Sequence, residues 1–557
     1  MSEITLFGYY DNFLTNFYLY HTFPIMTIIF SIFIFLLLIN SKEIFKGFSK
    51  IKKKYWIFLL IIFIFGFWLR NAEYIYGTHT DAFEYAISAR HLVEDGIFVR
   101  DCSIGNTNNC KLYEQVLYTQ GYPYLISLLY IFFGTNTILG SILSAVLSSL
   151  TIVLIFLISS LLFKNEYIGL YSSLIFSLIP LDLYFANTGN LRPTSLFFIS
   201  LTTLFYLIAL KKDTIKMWSL VAITFSFSII IAKENAILSL AMLFGLFLFK
   251  YYKKIDFKDY KKTKQTLILS IKKFTIPIII LLITQIPTQY WVISFENNIN
   301  SGKKIFGVDY FKIMAPTILK TLFPQKEFNT YNPIITLIFF TSIIHILFKN
   351  KFKSQLIFLW SIFILYFFIY SSYFQCQGFP ETICAEYVRM IQHFHLPYSI
   401  LAAYLLINLK FIKKDYLLAL LFIFLLVTTP ITIPKTIFKD SRIEKPVSQE
   451  KYFKAVNSTQ NNCTIITSVY LIPTTDVFVN NTRKTINLHI ISPNFSPNIE
   501  ELSIEQILES SCTYYFDDGF CFNKKGYPCK FIDEKLNLEY LYEIDGIKIY
   551  NVTSLRQ

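Results

Sequence analysis

Charged residues are scarce in this sequence. Asp, Glu, Lys and Arg make up 16% of its 557 residues, against about 25% in an ordinary globular chain. Hydrophobic residues make up 54% and aromatic residues 18%. Runs such as residues 23–40 supply the roughly 20 apolar residues with which a helix crosses a hydrocarbon core of about 30 Å. A water-soluble fold is therefore excluded for most of the chain, and a lipid bilayer is its expected surrounding.

Motifs of nucleotide-driven and metal-dependent enzymes are also missing. The sequence has no phosphate-binding Gly-rich loop, no His-Glu-x-x-His pattern and no nucleophile elbow. It predicts no metal-binding residues, and it leaves the need for a divalent cation open. The formal charge of +14 comes from lysines at the ends of apolar runs. The positive-inside rule explains such clusters, so nucleic acid is not an expected partner.

Lysine and arginine are absent from the first 22 residues, whereas residues 41–54 read SKEIFKGFSKIKKK. The N-terminus should therefore face outward and this loop inward. We predict an α-helical polytopic protein of the cell membrane with about twelve transmembrane helices. The predicted spans are 23–39, 55–69, 136–163, 167–185, 193–210, 217–232, 236–252, 274–291, 333–348, 354–371, 397–410 and 415–434.

None of the eight cysteines falls in a predicted span or inner loop. Three neighbouring pairs (102/110, 376/384 and 521/529) share one spacing, which leaves Cys463 with Cys512. Proximity thus predicts four disulfides in an oxidising compartment, although eight cysteines allow 105 arrangements. Residues 436–557 contain no span and have short strand-like runs. We predict a transmembrane domain over 1–435 and a small, external, disulfide-stabilised α/β domain over 436–557.

The first long outer loop, residues 70–135, contains acidic residues in a helical pattern. Thr80 is a suitable N-cap, and an amphipathic helix is predicted from Asp81 to residue 94. Glu84 lies one turn after Asp81, and His79 is close in sequence. A carboxylate near the membrane boundary can accept a proton from a hydroxyl, although an ordinary helix cap explains Asp81 equally. The segment GYPYLISLLYIFFG (121–134) is predicted to be a juxtamembrane helix.

This loop resembles that of a known family. The family pattern is Asp-x-x-x-Tyr-x-x-x-Ala-x-x-Leu-x-x-x-Gly, and it is matched by Asp81, Tyr85, Ala89, Leu92 and Gly96. Residues 179–198 and 386–406 are similar to later loops of the same proteins. The chain resembles the C-type superfamily of membrane glycosyltransferases, which use polyprenyl-phosphate sugars, and especially its protein mannosyltransferase and aminoarabinose transferase branch.

The resemblance implies roles for individual residues. Asp81 would be the catalytic carboxylate, and Arg389 would bind the donor phosphate. Glu84 is a second catalytic candidate from its position alone, one turn after Asp81. Further substrate-binding candidates are Lys233, Arg192, Tyr85 and His79.

The sequence also departs from the family pattern. Many mannosyltransferases have Asp-Glu where this chain has Asp81-Ala82, and relatives often have an acidic residue where it has Arg192. Asp182 or Glu234 could compensate.

Other polar residues have ordinary explanations. Lys233 fits a snorkelling side chain as well as a phosphate ligand, and Arg90 is expected on the solvated side of its helix. His393 and His395 could bind a metal at i, i+2, but interfacial aromatic residues with a polar edge explain them more often. The sequence therefore predicts a glycosyltransferase that moves a sugar from a polyprenyl-phosphate donor to a protein, lipid or glycan. The alternative is a transporter or flippase of a lipid-linked or small polar substrate.

Overall fold

The computed structural model describes residues 13–71, 80–98, 101–106, 109–114, 120–136, 138–251, 274–285, 308–323, 331–348, 354–372, 391–408, 413–428, 454–467, 484–487, 499–517 and 527–556. The chain divides into two compact units. The helical unit comprises Thr27–Tyr74 and Ser141–Glu444, and the sheet unit comprises Met1–Met26, Ile75–Gly140 and Lys445–Gln557. The domain boundary predicted at residue 435 lies outside the described residues.

Helices account for most of the described chain. They are α1 (Phe13–Phe48), α2 (Lys53–Asn71), α3 (Thr80–Glu94), α4 (Gly121–Phe133), α5 (Ile138–Phe163), α6 (Glu166–Ser177), α7 (Pro180–Ala186), α8 (Leu191–Lys212), α9 (Ile215–Ile231), α10 (Leu238–Leu246), α11 (Phe274–Gln285), α12 (Val308–Thr321), α13 (Pro333–Phe348), α14 (Ser354–Ser372), α15 (His395–Asn408), α16 (Lys414–Thr428), α17 (Ile499–Leu508) and α18 (Tyr527–Lys535). Two 3₁₀ turns, Lys233–Ile237 and Ile391–Phe394, lie within the helical unit.

Several helices could cross a bilayer. Five described helices are long and apolar enough, namely α1, α2, α5, α8 and α14, and the pair α6 and α7 is a sixth candidate. Four shorter apolar helices are α4, α9, α11 and α13. Each of the twelve predicted spans overlaps a described helix, but twelve crossings are not confirmed. The apolar helices nevertheless mark the chain as a multi-pass membrane protein.

Local sequence sets where these helices begin. The side chain of Asn165 accepts a hydrogen bond from the backbone of Tyr167 at the start of α6, and that of Asn190 does the same for Arg192 in α8. The predicted span 167–185 is broken, because Pro180 begins α7 and the two helices are bent by 62°. The break places Asp182 one turn into a short helix inside the unit.

The sheet unit contains a seven-stranded sheet of order β2-β1-β4-β3-β5-β7-β6. Its strands are β1 (Asp101–Asn106), β2 (Asn109–Glu114), β3 (Thr464–Thr467), β4 (Thr485–Asn487), β5 (Thr513–Asp517), β6 (Leu536–Ile544) and β7 (Ile547–Leu555). β3 is parallel to β4 and β5, and the other pairs are antiparallel. The first long loop therefore adds a hairpin to a sheet built from the C-terminal strands.

A disulfide joins Cys463 to Cys512, as predicted. These residues immediately precede the neighbouring parallel strands β3 and β5, and the backbone N–H of Thr464 donates to the carbonyl of Cys512. Cys529 is also disulfide-bonded. The other predicted pairs each include a cysteine side chain outside the described residues, so they stay predictions.

Candidate functional site

The helix predicted to carry the catalytic carboxylate is present in the sheet unit. α3 begins at Thr80 and contains Asp81, Glu84 and Tyr85. Tyr85 is buried, and its ring packs edge-on against Tyr122 of α4 with centroids 5.2 Å apart. The side chains of Asp81 and Glu84, and the whole of His79 and Arg389, lie outside the described residues. Their assigned roles therefore stay predictions.

One prediction about α3 is wrong. Arg90 was expected on the solvated side, but it is buried, with 7% of its surface exposed. Its guanidinium lies 2.7 Å from a carboxylate oxygen of Glu94, one turn later. Helix α3 packs against α4. An arginine that packs its stem and pairs its charge tolerates such burial.

A group of charged side chains comes together in the helical unit. Arg192 lies in the first turn of α8, and Lys233 and Glu234 lie in the 3₁₀ turn that follows α9. Nη2 of Arg192 is 3.4 Å from Oε1 of Glu234. Below we call Arg192, Lys233, Glu234 and His393 the charged cluster. Two of the predicted substrate-binding residues, Arg192 and Lys233, therefore act electrostatically on the same carboxylate.

His393 brings a second 3₁₀ turn, Ile391–Phe394, to the charged cluster. Nε2 of His393 is 3.1 Å from Oγ of Ser195, one turn after Arg192 in α8. Nδ1 is 2.6 Å from the hydroxyl of Tyr370 in α14. The ring of Tyr366 stacks on His393 with centroids 4.8 Å apart. His393 is thus buried between helices, and both ring nitrogens are engaged by hydroxyl groups.

The charge balance keeps Glu234 ionised. Burial raises the pKa of this carboxyl, but the Arg192 guanidinium, a backbone hydrogen bond and the charges of His393 and Lys233 together lower it further, and the net result is a pKa below the ordinary value. The cluster thus presents one carboxylate beside two cationic side chains. Such a group can bind an anion through Arg192 and Lys233 and accept hydrogen bonds through Glu234.

A second charged pair is sealed inside the helical unit. Nη2 of Arg70, near the end of α2, is 2.6 Å from Oδ2 of Asp182 in α7, and both side chains are fully buried. Oγ of Ser148 in α5 donates to the same carboxylate oxygen at 2.5 Å. Arg70 also donates to the carbonyls of Gly66 and Ser177. This pair joins three helices, and its burial makes it a structural element.

His395 lies next to this buried pair. Its Nδ1 is 3.9 Å from Oδ1 of Asp182, and its ring packs against those of Phe176 and Tyr331. The hydroxyl of Tyr331 donates to the carbonyl of Ile391 at 3.0 Å. The turn Ile391–Phe394 is therefore held at its start by Tyr331 and just after its end by the contacts of His395. Within the described residues, no three His, Cys, Asp or Glu side chains are grouped to hold a metal ion.

Comparisons with known proteins agree with the predicted family. Residues 120–291 match the family model of dolichyl-phosphate-mannose-protein mannosyltransferases. The crystal structure of ArnT from Cupriavidus metallidurans bound to undecaprenyl phosphate matches 90% of this chain and 98% of its own, with a TM-score of 0.52 and 11% identity. The apo oligosaccharyltransferase of Archaeoglobus fulgidus matches 90% of this chain and 75% of its own, with a TM-score of 0.51 and 11% identity. A sequence comparison with curated proteins found no match.

The chain shares its fold with these two transferases. The resemblance predicted from the pattern that starts at Asp81 is therefore confirmed. The segment that matches the mannosyltransferase model contains Arg192, Lys233 and Glu234 of the charged cluster. Asp81 and Arg389 lie outside that segment, so their roles depend on the sequence pattern alone.

Sequence reasoning named part of this site and missed part of it. Arg192 and Lys233 were candidates, and Glu234 was named both as a neighbour of Lys233 in a possible ion pair and as a substitute for a missing acid. The involvement of Ser195 and Asn235 was not predicted. The buried Arg70–Asp182 pair could have been suspected, because a charged residue within an apolar segment needs a partner.

Proposed function

We propose that this protein transfers a sugar from a polyprenyl-phosphate-linked donor to an acceptor on a protein, lipid or glycan at the external face of the membrane. The observation that carries the proposal is the charged cluster, which places two cationic side chains beside a carboxylate within a C-type glycosyltransferase fold. The names of the matching proteins support the lipid donor, since one bound undecaprenyl phosphate and the family model concerns dolichyl-phosphate-mannose.

The reaction needs no nucleotide. An acceptor oxygen or nitrogen attacks the anomeric carbon of the sugar, the bond from that carbon to the phosphate oxygen breaks, and the lipid phosphate leaves with the bonding electrons. Asp81, assisted by Glu84, takes the proton from the acceptor. Arg192, Lys233 and Arg389 stabilise the phosphate through charge-assisted hydrogen bonds. Tyr85 and His79 contribute to the substrate site.

The proposed arrangement in the membrane follows from the charge distribution. About twelve helices cross the bilayer, the N-terminus is external, and residues 436–557 lie outside the cytoplasm with the catalytic loop. This topology puts the lysine-rich loops at 41–54 and 250–264 in the cytoplasm.

The decisive experiment supplies membranes with radiolabelled polyprenyl-phosphate sugars, with and without this protein. Label that appears on a protein, lipid or glycan acceptor only when the protein is present supports the proposal. Label that crosses vesicle membranes while still attached to its lipid or as free sugar, with no acceptor labelled, would support the transporter alternative instead.

A further inference from the structure

Two carboxylates of the helical unit are held in opposite ways. Asp182 is fully buried, and one of its oxygens receives Arg70 at 2.6 Å and Ser148 at 2.5 Å. The side chain of Glu234 is 19% exposed and lies 3.4 Å from Arg192. Charge-assisted hydrogen bonds between guanidinium and carboxylate usually measure about 2.7–2.9 Å. The distance between Arg192 and Glu234 is therefore longer than in a tight ion pair, and a third group can reach the carboxylate.

The backbone that carries Glu234 is nevertheless fixed. The next residue, Asn235, is fully buried, and its Nδ2 donates to the carbonyl of Ser228 at 2.8 Å and to Oγ of Ser195 at 2.9 Å. Ser195 lies one turn after Arg192 in α8, so Asn235 ties the turn to the helix that supplies the arginine. A carboxylate held in a fixed position with a loose partner is suited to binding a ligand.

The surroundings of Glu234 limit the chemistry of that ligand. An ionised carboxylate only accepts hydrogen bonds, so the ligand must present an O–H or N–H group. Arg192 and Lys233 give the cluster a net positive formal charge when His393 is neutral. This charge disfavours a cationic ligand group and favours one that joins an anion to neutral hydroxyls. A sugar linked to a phosphate has this combination.

We propose that Glu234 determines donor specificity by accepting hydrogen bonds from hydroxyl groups of the donor sugar, while Arg192 and Lys233 bind the adjacent phosphate. The inference rests on the proposed glycosyltransferase function and adds a sugar-binding residue to it. Asp182 and Glu234 were both predicted as replacements for the acidic residue that relatives have at the position of Arg192. The inference gives them different roles: Glu234 binds substrate, and Asp182 holds helices together.

The test combines a protein change with a donor change. The donor is the polyprenyl-phosphate hexose that gives transfer in the labelled-donor experiment, compared with analogues in which one hydroxyl is replaced by hydrogen. For the unchanged protein, at least one deoxy analogue should show kcat/KM reduced about tenfold or more, since a hydroxyl bonded to a charged group contributes at least that factor. For Glu234→Gln, whose uncharged amide oxygen is a weaker acceptor, the parent hexose should lose much of this factor, and the same deoxy analogue should lose little more.

Asp213→Asn is the matched control. Asp213 ends α8 at the opposite end from Arg192 and pairs with Lys250 at 2.6 Å, so its loss removes a carboxylate without touching the cluster. It should leave discrimination between the parent hexose and its deoxy analogues unchanged. Glu234→Asp, which keeps the charge but shortens the side chain, should fall between the unchanged protein and Glu234→Gln.

The outcomes separate the two proposals. If the unchanged protein transfers no sugar from any polyprenyl-phosphate donor, the glycosyltransferase function fails, and this inference fails with it. If the protein transfers sugar but accepts every deoxy analogue as well as the parent hexose, only the role of Glu234 is overturned. That measurement needs no variant, so it can overturn the role of Glu234 even if Glu234→Gln does not fold. Equal discrimination by Glu234→Gln and the unchanged protein would overturn it too.

Discussion

At the residue scale, the clearest chemical prediction concerns Asp81, which lies in the first turn of α3. Asp81→Asn keeps the size of the side chain and its capacity to cap a helix, but an amide does not accept a proton. Loss of a general base lowers rates by about 10² to 10⁴. We expect kcat for sugar transfer to fall within that range while the amount of protein inserted in the membrane is unchanged.

Glu84→Gln is the comparison for Asp81→Asn. Glu84 lies on the same helix one turn later, and we expect a smaller loss of transfer rate from its change. An Asp81→Asn protein that inserts normally and transfers sugar at the parent rate would leave Asp81 as a helix cap. The labelled-donor assay measures both variants under the same conditions.

The buried pair of Arg70 and Asp182 leads to a prediction about stability. Asp182→Leu leaves a fully buried guanidinium without its carboxylate, and breaking a buried pair in this way costs about 3–5 kcal/mol. Changing both residues, as Arg70→Met with Asp182→Leu, removes both charges. We expect the double variant to unfold in detergent at a higher temperature than Asp182→Leu alone. A double variant that is less stable than the single one would show that the two charges are not coupled.

Residue types predicted this site only in part. An arginine and a lysine at the ends of apolar runs marked Arg192 and Lys233 as candidates, because charge near a bilayer is unfavourable unless it is used or paired. The sequence placed Glu234 beside Lys233, but it could not decide whether Asp182 or Glu234 lies next to Arg192. The choice depends on the bend between α6 and α7, which directs Asp182 to Arg70.

At the element scale, hydropathy located the helices of the helical unit well, because a helix in lipid needs an apolar run of defined length. Its failures have local causes. Pro180 breaks a run that is apolar throughout, and α12 contains Asp309 and two lysines, so it has no span signal. The place of the β1–β2 hairpin in the sheet was missed, because β1 pairs with β4, which lies about 380 residues later in the chain.

Close packing between α5 and α6 gives a prediction for Gly169. A Cβ at this position would lie 2.9 Å from the backbone oxygen of Phe156 and would also meet the side chains of Phe156 and Ser160. Small residues allow helices to approach closely in membranes. Gly169→Ala should therefore force the two helices apart and destabilise the protein by about 1–3 kcal/mol. The readout is the unfolding temperature in detergent.

Gly47 in α1 provides the control, because a Cβ there would meet no atom within 4 Å. Gly47→Ala should leave stability unchanged or raise it by about 0.5–1 kcal/mol, since alanine favours a helix over glycine. If the two substitutions had equal effects, helix propensity alone would explain them, and the close contact at Gly169 would have no energetic importance.

At the scale of the whole molecule, the cysteines test the topology independently of hydropathy. The disulfide between Cys463 and Cys512 closes a loop with a sequence separation of 49. A cross-link of this length stabilises a fold by about 4 kcal/mol in the chain-entropy model. Such bonds persist in oxidising compartments and are rare in the cytosol. The bond therefore favours the external placement of the C-terminal strands.

We predict that all eight cysteines are oxidised and external in the native protein. In intact cells, a thiol reagent that does not cross membranes should modify none of them before reduction and should modify them after reduction from outside. Labelling from the cytoplasmic side, in sealed inside-out vesicles that were never reduced, should also find no reactive cysteine. Because the spans alternate in direction, one free cysteine reached from the cytoplasm would invert the side assigned to its loop. With that loop the catalytic face would have to be reassigned, since β1 and β2 of the first long loop share one sheet with the C-terminal strands and we therefore expect both on one side of the membrane.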